Sequence, residues 1–118
     1  MSPPQELRER TKKFAIRIVR LFQSLPKSAE AQVMGKQLLR CGTSVAANYR
    51  AVCRARSKAE FIAKMGIVAE EADESVLWLE LLEETGILRH ERLEDILKEA
   101  KELVAIFSTS LKTAKDNR

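Results

Sequence analysis

The 118-residue chain has one histidine, two cysteines, one tryptophan, one tyrosine, four glycines and three prolines. Scarce glycine and proline argue against a turn-rich β architecture or a long linker. With hydrophobic residues at 45% and charged residues at 32%, the profile is that of one helical domain spanning 1–118. The lone histidine counts against the di-metal carboxylate site of a helical bundle, which needs Glu-x-x-His pairs. His90 falls in a predicted turn with no Ser or Cys close in sequence, so a hydrolase triad is not expected either. A glycine-rich phosphate loop and a dinucleotide fingerprint are missing too. The expectation is a protein that is not an enzyme and has no metal or cofactor.

No apolar run approaches the ~18–20 residues of a membrane span, and the opening MSPPQELRERTKK has no apolar stretch after its charges, unlike a signal peptide. No membrane contact and a cytoplasmic address are expected. Cys41 and Cys53 lie on one predicted helix, ~18 Å apart along its axis at ~1.5 Å per residue. That is too far for a bridge, and both are expected to be small buried hydrophobes.

Charge is present in quantity but unevenly. Residues 1–64 carry 14 Lys/Arg against 4 Asp/Glu, whereas residues 65–118 carry 7 against 13, within a net charge of +4. Such a chain can cancel its halves inside an antiparallel fold, pair them between copies, or leave a basic surface for a polyanion.

Apolar periodicity predicts four helices, over about 5–25, 28–54, 57–84 and 91–113. In the first, Leu7, Phe14, Ile18, Leu21, Phe22 and Leu25 form the core stripe, and Arg10, Lys13, Arg17 and Arg20 form a ridge away from it. Pro26 ends it. In the second, Met34, Leu38, Cys41, Val45, Tyr49 and Val52 share one arc, with Lys36, Arg40, Arg50 and Arg54 opposite. Gly35, Gly42, Ala46 and Cys53 line a seam of small side chains. Because a helical glycine costs ~1 kcal/mol relative to alanine, that seam predicts unusually close approach by the first or third helix.

Ser57-Lys58-Ala59-Glu60 is a capping-box pattern that starts the third helix. Phe61, Met65, Val68, Ala72, Val76 and Leu79 form its core stripe. Ile67, Trp78 and Leu81 make a second apolar stripe nearly opposite, interleaved with Glu70 and Glu74. In a four-helix bundle no helix is central, so this second stripe predicts an oligomer interface of Ile67, Glu70, Glu74, Trp78 and Leu81, with Trp78 its anchor. The other reading is a Trp partly covered by its own neighbours at a bundle corner. Thr85-Gly86 stops the third helix. The fourth carries a clean stripe from Leu93 to Leu111, and the tail 116–118 is expected to fray. Short connections make the bundle antiparallel, up-down-up-down.

Glu70, Glu71, Asp73 and Glu74 are crowded enough to repel one another, so Glu70 and Glu74 are expected to pair with arginines of the second helix or of another copy. A polyanion site would comprise Arg10, Lys13, Arg17, Arg20, Lys36, Arg40, Arg50, Arg54 and Arg56. Phosphate contacts of this kind are tolerant of sequence and sensitive to salt. Aromatics for base stacking are scarce, so structured RNA or DNA recognised by shape and charge fits best.

The stretch from Arg40 to Glu84 resembles a family of small bacterial four-helix-bundle proteins encoded in ribosomal RNA intervening sequences and related to the accessory variability protein of diversity-generating retroelements. The resemblance rests on Arg-Cys-Gly-Thr-Ser-Val at 40–45, Ala47-Asn48-Tyr49-Arg50, Arg54-Ala55-Arg56-Ser57-Lys58, Phe61-Ile62 with Lys64, Glu70-Glu71-Ala72-Asp73-Glu74 and Trp78-Leu79-Glu80-Leu81-Leu82. LPKSAE at 25–30 and the last helix agree more loosely. The resemblance implies a homopentamer, a ring or barrel of four-helix bundles with a basic surface. In the retroelement branch it also implies binding of nucleic acid and of a reverse transcriptase. The chain departs from the family pattern after Tyr49, where Arg50-Ala51-Val52 replaces an expected Arg-Glu-Ala and removes a carboxylate. The resulting expectation is a homo-oligomer that binds structured nucleic acid; the alternative is a protein-interaction scaffold whose charges are consumed in subunit contacts.

Overall fold

Three of the four helices begin at a serine whose side chain accepts a backbone amide. In the computed structural model, which describes residues 1–117, Ser2 Oγ accepts from Gln5 N, Ser28 Oγ from Ala31 N and Ser57 Oγ from Glu60 N. At Ser2 the pattern is reciprocal, with the Gln5 side chain accepting from Ser2 N at 2.9 Å. That capping box and the proline just inside it start the first helix earlier than the apolar stripe alone suggests. The helices are α1 (Pro3–Gln23), α2 (Ala29–Cys53), α3 (Lys58–Glu84) and α4 (His90–Asp116). The fourth outlasts its apolar stripe because Ala114 is still buried against the bundle.

The connections are a few residues each. Between α3 and α4, Gly86 takes φ 75°, a left-handed geometry that glycine adopts without a Cβ clash. Its amide and that of Ile87 donate to the carbonyls of Glu83 and Leu82 at 3.0 and 3.1 Å. Leu88 and, between α1 and α2, Leu25 turn inward and plug the same end of the core.

The architecture is all-α, an elongated four-helix bundle of 47 × 24 × 22 Å. Among the described residues there is no strand. Successive helices pack along their lengths, while α1 and α4 meet only sparsely, leaving one open edge. Phe14, Ile18, Leu38, Val45, Val68, Leu79, Leu93, Leu103 and Phe107 are essentially without solvent contact. The Tyr49 and Phe107 rings lie 5.8 Å apart and tie α2 to α4 across the core near the end of α2.

The small-residue seam of α2 lies against α1. A Cβ on Gly42 would sit 2.8 Å from Ile18 Cγ1, and one on Gly35 would collide with Leu25 and Phe22. Cys41 is buried as expected and receives the Ser75 hydroxyl at 3.3 Å; burial pushes its thiol pKa up. Cys53 corrects the expectation: it is exposed at the last residue of α2, where the helix runs out beyond the core.

Candidate nucleic-acid interface

The helices α1 and α2, from the basic half of the chain, pack side by side. Helical rotation and the neighbouring helices then divide their cations into spent and unspent. Arg10 is spent. It reaches over the open edge to α4, with Nε 2.7 Å and Nη2 2.8 Å from the two oxygens of Glu99, and Nη2 3.0 Å from Glu102. A fork on a carboxylate is the strong form of this contact. It raises the Arg10 pKa and holds Glu99 below the usual carboxylate range, the hydrogen bond being the leading cause for both.

Arg40 is spent as well, bound to Glu74 and, at 3.2 Å, to Glu71. Both arginines, members of the predicted polyanion set, are thus paired within the chain. The reason is tertiary: each lies on the flank of its helix nearest an acidic neighbour. Glu74 finds an arginine as expected. Within the chain Glu70 does not; it is exposed, and Glu71, one residue on and turned toward α2, pairs with Arg40 instead.

The remaining predicted cations, Lys13, Arg17, Arg20, Lys36, Arg50, Arg54 and Arg56, are exposed. None makes a salt bridge among the described residues. The structure does not gather them all. Arg50 and Arg54, one turn apart at the end of α2, converge on the start of α1 and line a concavity with Met1, Gln5, Arg8 and Glu9. Arg8, absent from the predicted site, completes a cluster of three arginines around one facing carboxylate, Glu9. Its position off the basic ridge of the first helix hid it; the signal was its place four residues before Lys12, on the flank that packs against α2.

Tyr49, one turn before Cys53, is buried beneath this end of the bundle. Burial pushes its hydroxyl up to about 12, with Cys53 adding to the rise and the Arg8 charge opposing it. Arg56 follows in the α2–α3 turn, where its backbone amide donates to Glu60 at 3.3 Å and its side chain is exposed. Lys36 stands farther up the outer face of α2. Arg17 and Arg20 turn toward α4, away from the Arg50 and Arg54 cluster, and line a separate concavity with Arg92.

The predicted interface stripe of α3 is divided too. Ile67 remains 47% exposed, and Leu77, outside the predicted set, is 48% exposed. Leu81 is half-buried. Trp78 packs partly against its own core, and its indole N–H donates to Glu74 at 3.1 Å. The corner reading of this Trp thus describes its place within the chain. Glu74, held by both Arg40 and Trp78, links α2 to α3.

No group of His, Cys, Asp or Glu suited to holding a metal occurs among the described residues. No helix of the described residues is long and apolar enough to cross a membrane.

A family model described as 23S rRNA-intervening sequence protein matches residues 5–109. The chain is also similar, at 38% identity and a TM-score of 0.83, to a crystal structure from Bacteroides thetaiotaomicron of a protein of unknown function from the S23 ribosomal protein family. The match covers 89% of this chain and 97% of that one. None of the curated proteins matches.

Proposed function

We propose that this chain, which belongs to the 23S rRNA-intervening sequence protein family, is a non-enzymatic protein that binds structured RNA through the phosphate backbone and works as a homo-oligomer, most simply a pentamer. The observation that carries the reading is the convergence of Arg8, Arg50 and Arg54 on one concavity without a salt bridge to any carboxylate among the described residues. Holding three like charges together is unfavourable unless an anion arrives, and guanidinium forks match phosphate oxygens. Lys12, Lys36 and Arg56 are exposed as well and add positive charge to α1, α2 and the turn that follows. An oligomer would repeat this surface and add the charge of each copy, +4 per chain. Its subunit contacts would cover the α3 back around Ile67 and Leu77.

Fluorescence anisotropy with a labelled RNA hairpin tests the reading. Between about 50 and about 200 mM salt the affinity should fall steeply, and Arg50→Glu with Arg54→Glu should lower the slope of log affinity against log salt by about two. A complex whose affinity is indifferent to salt, or no complex at low salt, would defeat it.

The scaffold reading has its own supporting observation, since Arg10 and Arg40 are consumed inside the chain. It predicts that Arg50→Glu with Arg54→Glu breaks the assembly, whereas the RNA reading predicts an unchanged mass. A nucleic-acid enzyme such as a reverse transcriptase is a partner proposed on the family resemblance alone.

A further inference from the structure

The open edge between α1 and α4 holds a second concavity, lined by Arg17, Arg20, Leu21, Arg92 and Ile96. No carboxylate lines it. Leu21 and Ile96 are buried, leaving 8% and 4% of their surfaces exposed, and form an apolar floor, while the three arginines stand exposed around it. The carboxylate whose field Arg17 reaches is Glu99, and Glu99 is already bound by the Arg10 fork. Arg92 is oriented by a neutral group, donating from Nη2 to Ser24 Oγ at 2.8 Å. A single cation would be enough to complement the carbonyl end of α1 nearby. Three, of which one comes from α4, are in excess of that need.

The size of the excess selects the ligand. An internal phosphodiester brings one negative charge, whereas a phosphomonoester brings ~1.5 to ~2 at neutral pH, with three acceptor oxygens that can be shared among three guanidinium groups. We propose that the α1/α4 groove, through Arg17, Arg20 and Arg92, binds a terminal phosphomonoester of a polynucleotide, separately from the backbone contacts of Arg8, Arg50 and Arg54. The proposal rests on the RNA-binding reading for the identity of the strand, and on its own geometry for the end-group.

The test compares one oligoribonucleotide in three forms, with a 5′-phosphate, a 3′-phosphate or hydroxyls at both ends, binding to the full chain. At least one phosphorylated form should bind about tenfold more tightly than the hydroxyl form, the scale of a charged hydrogen bond. Arg92→Gln should abolish that preference and leave the hydroxyl form's affinity unchanged; Arg92→Lys, which keeps the charge and loses the fork, should retain part of it. Equal affinity of all three forms would overturn the proposal, as would a preference that survives Arg92→Gln. A nucleoside monophosphate that binds as tightly as the phosphorylated strand would also overturn it, by making the ligand a free nucleotide. If only phosphorylated strands bind, the groove stands and the α1–α2 reading falls; if no strand binds, both fall.

Discussion

Arg10 and Glu99 form a two-pronged ion pair, at 2.7 and 2.8 Å, across the sparsely packed edge between α1 and α4. The backbones of these two helices approach each other at only a few places, and this pair with its extension to Glu102 bridges the gap between them.

Glu99→Gln should therefore destabilise the chain by about 0.5–1 kcal/mol at neutral pH, a modest figure because Arg10 is partly exposed and screened. The folded pKa of Glu99 lies below its ordinary value of 4.5. The stabilisation is thus fully present above 4.5 and is lost as pH falls through the lower, folded value. Urea unfolding of the wild-type chain and of Glu99→Gln should differ at pH 7 and converge in strong acid.

His90 gives the opposite sign. Its Nδ1 lies 2.6 Å from Glu83, and that hydrogen bond, ahead of the nearby charges, raises its pKa above 6.5. Its contribution to stability is present below 6.5 and is lost as pH rises through the folded value. An NMR titration of the His90 ring should show a midpoint above 6.5, and Glu83→Gln should lower it.

The glycines of the helices should separate cleanly. Gly42→Ala drives a Cβ into Ile18, whose contacting atoms are close to its own backbone and cannot swing aside. We expect a loss of about 1–3 kcal/mol from overpacking, against the ~1 kcal/mol that alanine returns in helix propensity. Gly66→Ala meets nothing within 4 Å and should gain up to ~1 kcal/mol. Thermal unfolding of both variants would check the contrast.

The α3 surface offers two kinds of variant with distinct outcomes. Trp78→Ala should cost the single chain about 2 kcal/mol, because the indole packs on the core and donates to Glu74. Ile67→Asp with Leu77→Asp, at positions half open to solvent, should each change chain stability by only about 0.5 kcal/mol. If copies cover the α3 back, this pair should reduce the assembly mass measured by light scattering; an unchanged mass would place the interface elsewhere.

Much of this architecture was legible because its signals are local. Serine caps, the helical spacing of Leu38, Val45 and Val52 and the stop at Gly86 all depend on neighbours a turn or two away along the chain, and Gly35 and Gly42, seven residues apart, mark one line of α2 that a neighbour can approach. The site was legible only in part. Arg10 and Arg17 lie on the same ridge of the same helix, two turns apart, yet one is bound by Glu99 and the other is left for solvent. Arg92 stands between Glu91 and Glu94 at the start of an acidic helix, and its company with Arg17 and Arg20 exists only after α4 has folded back beside α1.

The sequence by itself determined that the chain makes four amphipathic helices, basic in its first half and acidic in its second, because periodicity and charge order are properties of the chain alone. Tertiary structure decided which of those charges neutralise one another. An ion pair needs its partner within a few ångströms, and residues tens of positions apart acquire that distance only when the helices pack.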